Sequence, residues 1–186
     1  MAEKKKRIAL GSGDVYLAEF SGSTIPDVET LKTSANLLGA TKGGASIEYS
    51  VTSLTEKSDD GTVSKTVITD EDAKLKTGLC TIDSAELASI VSTARVTEDN
   101  EKNRTIVKIG GSDNDNGKSY AILFYHKDKK DGDIAVLIVG KNTAGLTLEF
   151  KKDAGMAVSP EFTAEPQDSE GTLIQIIFYH PTSSNS

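Results

Sequence analysis

Few residues in this chain could do chemistry: two histidines, one cysteine and several groups of carboxylates. The densest acidic group is "EFTAEPQDSEGTL", in which Glu161, Glu165, Asp168 and Glu170 surround Pro166 and Gly171. Carboxylates grouped in this way could act as general acid and base, hold a metal ion, or form a joint between subunits. Acid–base work needs a partner within hydrogen-bond reach. No His or Cys stands beside these acids, so the stretch reads as a solvated or subunit-facing connection between strands. Phe162 and Leu173 anchor its ends in the core, and Pro166 and Gly171 punctuate it.

His126 and His180 close the apolar runs "LFYHK" and "IFYHP", which suits strand-end histidines facing solvent or a neighbour. Cys80 lies inside the alternating run "AKLKTGLCTI", where a small buried hydrophobe is the commonest role. There is no GxSxG elbow and no HExxH. "GSGDVY" lacks both the Gly-Lys-Ser/Thr ending of a phosphate loop and the third glycine of a dinucleotide loop. "DNDNGK" has the look of a calcium loop. Counting from Asp113, however, Gly117 takes the fifth position and Phe124 the twelfth, where an oxygen ligand and a glutamate are needed. It reads as a turn. The residues therefore point away from an enzyme, and no metal or cofactor is expected.

The elements that would position these residues are mostly strands. "RIALGSGDVYLAEF" reads as an early strand over 7–20, with Val15, Leu17 and Glu19 opposed to Tyr16, Ala18 and Phe20, and a kink or bulge at Gly11-Ser12-Gly13. A short helical turn is expected within 28–38. "ASIEYSVTSL" alternates Ala45, Ile47, Tyr49 and Val51 against Ser46, Glu48, Ser50 and Thr52, the pattern of a half-buried strand. It runs into a hairpin tipped by Asp60-Gly61, a pair that suits a type I′ turn, and "TVSKTVI" returns. "DSAELASIVSTA" carries a capping box of Asp83 and Glu86, with Leu87, Ile90, Val91 and Ala94 at helical spacing; this helix should lie against a sheet. "RTIVKIGG" and "SYAILFYHK" read as strands joined by a hairpin at Asn116-Gly117. A further hairpin at Asp131-Gly132 leads to "DIAVLIVGK", apolar on both faces and therefore central. "GLTLEFKKD" alternates, "AVSPEFTAE" is an edge or bulged strand broken by Pro160, and "TLIQIIFYH" is the last strand.

Composition sets the class. The chain has 186 residues, no tryptophan and a net charge of −7. One domain is expected over 1–186, with a frayed basic arm over 1–7 (Lys4-Lys5-Lys6-Arg7) and a polar tail over 181–186. That arm is either a solvated terminus or docks on an acidic surface of another copy. The basic start lacks a long apolar run, so no secretory leader is expected, and no run reaches the roughly 18 apolar residues of a membrane helix. An acidic chain also lacks the basic footprint that grips DNA by its phosphates. The expected fold class is mainly β, an antiparallel β-sandwich or barrel with one packed α-helix. Such a chain acts by assembling.

At this point a family comes into view. The segment from Gly132 to Pro181 resembles the end of the major tail proteins (tail tube proteins) of siphovirus-type, long-tailed bacteriophages. The resemblance is carried by Leu146-Thr147-Leu148-Glu149-Phe150, Glu161-Phe162-Thr163-Ala164, Pro166-Gln167-Asp168 and Glu170-Gly171-Thr172-Leu173. "VYLAEF", "TKGGASIEYSVT" and the mid-chain helix agree in kind. The resemblance implies a virion structural subunit that assembles in the host bacterial cytoplasm into stacked homohexameric rings. The resulting tail tube would surround a tape-measure protein, meet tail terminator and tail-tip proteins, and pass DNA through its lumen during genome ejection without specific binding. It also implies a hairpin, Val51 to Thr69 here, that reaches an adjacent subunit or ring, with Glu56, Lys57, Asp59, Asp60 and Gly61 as contact candidates. Asp168 and Glu170 are candidates on the C-terminal loop. "SIEYSVTSL" and the strand from Ser119 are the expected lumen strands. The alternatives are a tube protein of a contractile injection machine, such as a tail-like bacteriocin or secretion system, and a carbohydrate-binding β-sandwich. The latter fits poorly with 5% aromatic residues.

Overall fold

The computed structural model describes residues 11–22, 24–79, 83–151 and 154–180. The basic arm over 1–7, Cys80 and the tail over 181–186 lie outside them. In chain order the elements are β1 (Asp14–Phe20), α1 (Val28–Leu31), β2 (Leu37–Lys57), β3 (Ser64–Leu79), α2 (Ser84–Ile90), β4 (Ala94–Asp99), β5 (Arg104–Ile109), β6 (Ser119–His126), β7 (Ile134–Asn142), β8 (Leu148–Lys151), β9 (Ala154–Val158), β10 (Glu161–Glu165) and β11 (Ile174–Phe178).

All the pairings in the nine-stranded main sheet are antiparallel, and six of its strands close on themselves. β1 pairs with β6, β6 with β7, β7 with β10, β10 with β3, β3 with β2, and β2 with β1. β11 continues along the β10 edge of β7, pairing Ile134 to Ile138 where β10 pairs Val139 to Asn142. This is the expected antiparallel β-sandwich or barrel, and the closure makes it a barrel. Val15, Leu75, Leu79, Ile122, Ile138 and Phe162 form the interior cluster, and Ile90 and Val91 of the α2 region join it. The alternate residues of β1, β6 and β7 point outward. Tyr16, Leu123, Leu137 and Val139 pack there against Val28 and Leu31 of α1. Burying each such side chain stabilises the fold by about 1.5–3 kcal/mol.

β10 lies hard against β7 at Gly140. A Cβ there would sit 1.9 Å from the Thr163 carbonyl oxygen, so only glycine lets the wall close at this point.

Several expectations hold. β1 sorts its faces as read, β7 is buried on both faces, and the β6–β7 hairpin turns at Asp131-Gly132. The capping box is formed, with Asp83 accepting from the Glu86 N–H and Glu86 from the Asp83 N–H.

Others need correction. The helix ends at Ile90, because Val91 turns extended and Ala94 opens a strand, β4, that pairs with β5. The β-branched residues of "VSTARVT" favour that outcome over continued helix. Asn116-Gly117 therefore does not tip a hairpin, since β5 pairs with β4 while β6 pairs with β1 and β7. The helical turn expected within 28–38 is one short helix, Val28–Leu31. Pro160 separates two strands, and β10 is paired on both sides, so it is no edge. β6 is buried on both faces and cannot line a lumen.

Candidate assembly interface

The β2–β3 hairpin leaves the barrel as an arm. Every residue from Ser46 to Glu71 is exposed, so "ASIEYSVTSL" is not half-buried within one chain. Alternation identified a strand with one apolar face but could not say what covers that face. The side chains on the arm follow from its register. Ile47 opposes Leu75, Tyr49 opposes Ala73, and Val51 opposes Glu71. Directly opposed residues of an antiparallel pair share a face, so this apolar face continues the barrel interior outward. The Tyr49 hydroxyl donates to the Glu71 carboxylate on that face, and this bond is the main reason the Tyr49 phenol is pushed above its usual range.

The register slips between Thr52 and Ser53. Thr52 opposes Asp70 but Ser53 opposes Ile68, leaving Thr69 as an extra residue on β3. A bulge of this kind moves the following side chains to the other face. Beyond it Ile68 joins the Tyr49 face, while Leu54 and Val67 oppose each other on the reverse face. The arm thus shows an apolar face on one side near its base and a second apolar spot on the other side near its tip. Tyr49 is 55% exposed and Ile68 61%. An isolated two-stranded hairpin is marginal in water, so these side chains call for a covering surface.

The tip differs from the type I′ turn expected. Gly61 alone is left-handed, at φ +70°, and its N–H donates to the Ser58 carbonyl at 2.8 Å inside a wider loop closed by Ser58 N–H to Val63. Asp60 is saturated within the loop, accepting from the Ser58 hydroxyl and from the Thr62 N–H and hydroxyl. These donors, the Ser58 hydroxyl first, hold its carboxyl down to about 2. Asp59 beside it is exposed. Glu56 opposes Lys65 and Lys57 opposes Ser64 on the last rungs.

The outer face of the wall formed by β3, β10 and the end of β7 carries alternating charges. Lys74 reaches Glu161 at 3.0 Å, Lys76 reaches Glu48 at 2.8 Å and Glu161 at 3.4 Å, and Lys141 reaches Glu165 at 3.3 Å. Lys74 first, then Lys76, holds the Glu161 carboxyl below its usual range. Two of the four acids in "EFTAEPQDSEGTL" therefore belong to the barrel wall and not to a loop. Exposed pairs like these add little stability, but they leave each of these lysines facing a carboxylate.

The remaining acids shape the loop into β11. Asp168 accepts from the N–H groups of Glu170 and Thr172, each at 3.0 Å, which holds its carboxyl low, with Thr172 the larger cause. Gln167, 3% exposed, donates to the carbonyls of Leu137 and Leu173 and ties the loop to β7. Phe162 is a core residue as expected, whereas Leu173 is only half-buried. Glu170 lies with Tyr49, Glu71 and Ile176 on one groove. The structure thus brings the C-terminal loop to the flank of the arm, while Glu56 to Gly61 stand at its far end.

His126 is buried, contrary to expectation. It donates from Nδ1 to the Ser12 carbonyl at 2.9 Å and so joins β6 to the approach of β1. His180 is exposed. Among the described residues, no group of three His, Cys, Asp or Glu side chains is placed to hold a metal ion. The exposed apolar arm residues missed from sequence are Leu54, Val67 and Ile68. For Val67 and Ile68 the signal was present in "TVITD", where adjacent apolar residues must point to opposite faces. No protein-family model and no curated protein matches this chain.

Proposed function

We propose that this chain is a structural subunit of a tail tube of the siphovirus type, assembling with copies of itself into stacked hexameric rings. The observation that carries this reading is the arm: a paired hairpin, exposed on both faces from Ser46 to Glu71, with apolar side chains on each. Exposed paired strands invite edge and face contacts with another chain, and closing them between subunits removes the hazard. The charged outer face of β3 and β10 supports a water-filled channel. Its lysines stand against carboxylates, so they do not form the uncompensated basic footprint that grips DNA by its phosphates, and the net charge of the chain is acidic. On this reading the tube is part of the virion, encloses a tape-measure protein and is finished by terminator and tail-tip proteins.

Concentrated protein viewed by negative-stain microscopy is expected to show rings or tubes about ten nanometres wide, an order-of-magnitude width for six such domains around a pore. A variant with residues 51–69 replaced by a two-residue Asn-Gly turn is expected to stay folded and monomeric. A wild-type protein that sediments as a monomer at every concentration, or an armless variant that still forms rings, sinks the reading.

A further inference from the structure

The apolar face at the base of the arm meets a second apolar surface at β11. Ile174 packs against the interior cluster. Ile176, two residues on in the same strand, points the same way, and it is 49% exposed. A groove of about 490 Å³ runs between arm and strand, lined by Tyr49, Ile174 and Ile176 and by the acids Glu71 and Glu170. Glu71 accepts from the Tyr49 hydroxyl. Neither acid makes an ion pair with any described residue. An exposed apolar patch rimmed by polar groups marks an interaction site, and unpaired carboxylates on its rim favour a segment that joins apolar side chains to cations.

The chain carries such a segment beside the groove. Residues 4–10 read Lys-Lys-Lys-Arg-Ile-Ala-Leu. They enter the described fold at Gly11, whose carbonyl oxygen lies 3.7 Å from the position a Cβ on Gly44 would take. From Gly44 to Tyr49 the arm rises about 16 Å, at about 3.3 Å per residue. Residues 4–10 span about 23 Å when extended, which brings Ile8 and Leu10 to the arm base and the cations to the groove.

Pattern and charge agree with reach. In an extended segment Ile8 and Leu10 share one face, as Ile47 and Tyr49 do on the arm. Between Ser46 and Glu71 six carboxylates stand against two lysines, while Lys4 to Arg7 are four cations in a row.

We propose that residues 4–10 dock in this groove of their own chain, with Ile8 and Leu10 against Ile47 and Tyr49 and the cations beside Glu71 and Glu170. A short tether gives the segment a high effective concentration at its own groove. The charged half of the contact weakens as salt rises. This docking goes beyond the assembly reading and does not rest on it. Where copies assemble, the segment covers one arm face until a neighbour displaces it, and so acts as a brake.

Crosslinking in the dilute, unassembled full chain tests it. In a Cys80→Ser background, Lys6→Cys together with Thr172→Cys, a residue that lines the groove, is expected to form a disulfide within one chain under mild oxidation. The product should run as a monomer on non-reducing denaturing gels and retain no free thiol. Disulfides only between chains, or none at all, overturn the docking. Methyl NMR of the full chain gives a second readout. The combined variant K6E, R7E, I8S, L10S is expected to shift the methyl resonances of Ile47 and Ile176 and to leave those of Ile122 and Ile138 in place. Unmoved Ile47 and Ile176 resonances overturn the docking as well. Both readouts precede assembly, so they decide the docking whether or not rings form, whereas failure of the wild type to form rings sinks the assembly reading alone.

Discussion

Side chains of one short stretch play opposite roles in this molecule. Phe162 is 1% exposed in the interior cluster, whereas Asp168 and Glu170, a few residues on, serve the loop surface. Phe162→Ala is expected to cost about 3–5 kcal/mol, as large-to-small changes at buried aromatics do. The Asp168→Ala, Glu170→Ala double variant should keep its far-UV circular dichroism spectrum and unfold at nearly the wild-type temperature. A cooperative melt of Phe162→Ala at the wild-type temperature, or loss of fold in the double variant, would reverse that ranking. A second residue-scale effect lies at the β6–β7 hairpin. The Tyr125 hydroxyl donates to Asp133 at 2.6 Å, and this bond holds the Asp133 carboxyl below its usual range against burial, which pushes it up. A depressed carboxyl contributes stability in full above its unfolded pKa of about 3.9 and loses it as pH falls through the lower folded value. Thermal melts of Tyr125→Phe should therefore show its largest deficit against wild type near pH 6 and a smaller one near pH 2. A deficit that stays constant with pH would show that lost packing, and not the ionised pair, sets the effect.

The elements differ in what holds them. β6 and β7 are paired on both sides and buried on both faces, so their amides open only with the whole barrel. The arm beyond Ser46 has one partner strand and no covering layer. Segments with few buried contacts and solvent-exposed backbone bonds open locally at low cost. In the unassembled protein, amides of Glu48 to Lys57 and Ser64 to Glu71 should exchange with deuterium far faster than those of Ile122 to Leu123 and Leu137 to Ile138. Assembly should then protect the arm selectively. Equal exchange in free and assembled protein would show that the arm is not where copies meet. α2 is a stable short element for a different reason. Its capping box satisfies two N-terminal donors locally, while Ile90 fixes it to the barrel interior.

For the whole molecule, the division of surfaces matters most. The barrel keeps its core to itself, with an interior cluster drawn from all six ring strands and an outer cluster sealed by α1. The barrel thus packs its core within one chain, and the arm beyond Ser46 is left uncovered by the described residues. The net charge of −7 per chain works against association of like subunits and repels polyanions. On the proposed assembly, contacts between copies must overcome that repulsion, chiefly with apolar burial. The two apolar faces of the arm would supply that burial.

Much of this was written locally. Period-two alternation made the class mainly β, Asp83 and Glu86 set where α2 begins, and the two-sided apolar run "DIAVLIVG" marked β7 as central. These features depend on neighbours a few residues apart, which sequence displays directly. Closure of the barrel was not legible, because it depends on β10 meeting β3 and β7 from far along the chain. Nor was β4 legible, because a short helix and a strand share the apolar spacing of "SIVSTARV" until a partner strand decides between them. The arm shows the limit most plainly. Alternation said that Ile47, Tyr49 and Val51 share a face. Only the register, with its bulge at Thr69, put Ile68 on that face and Val67 on the other, opposite Leu54, and only the tertiary structure left both faces exposed.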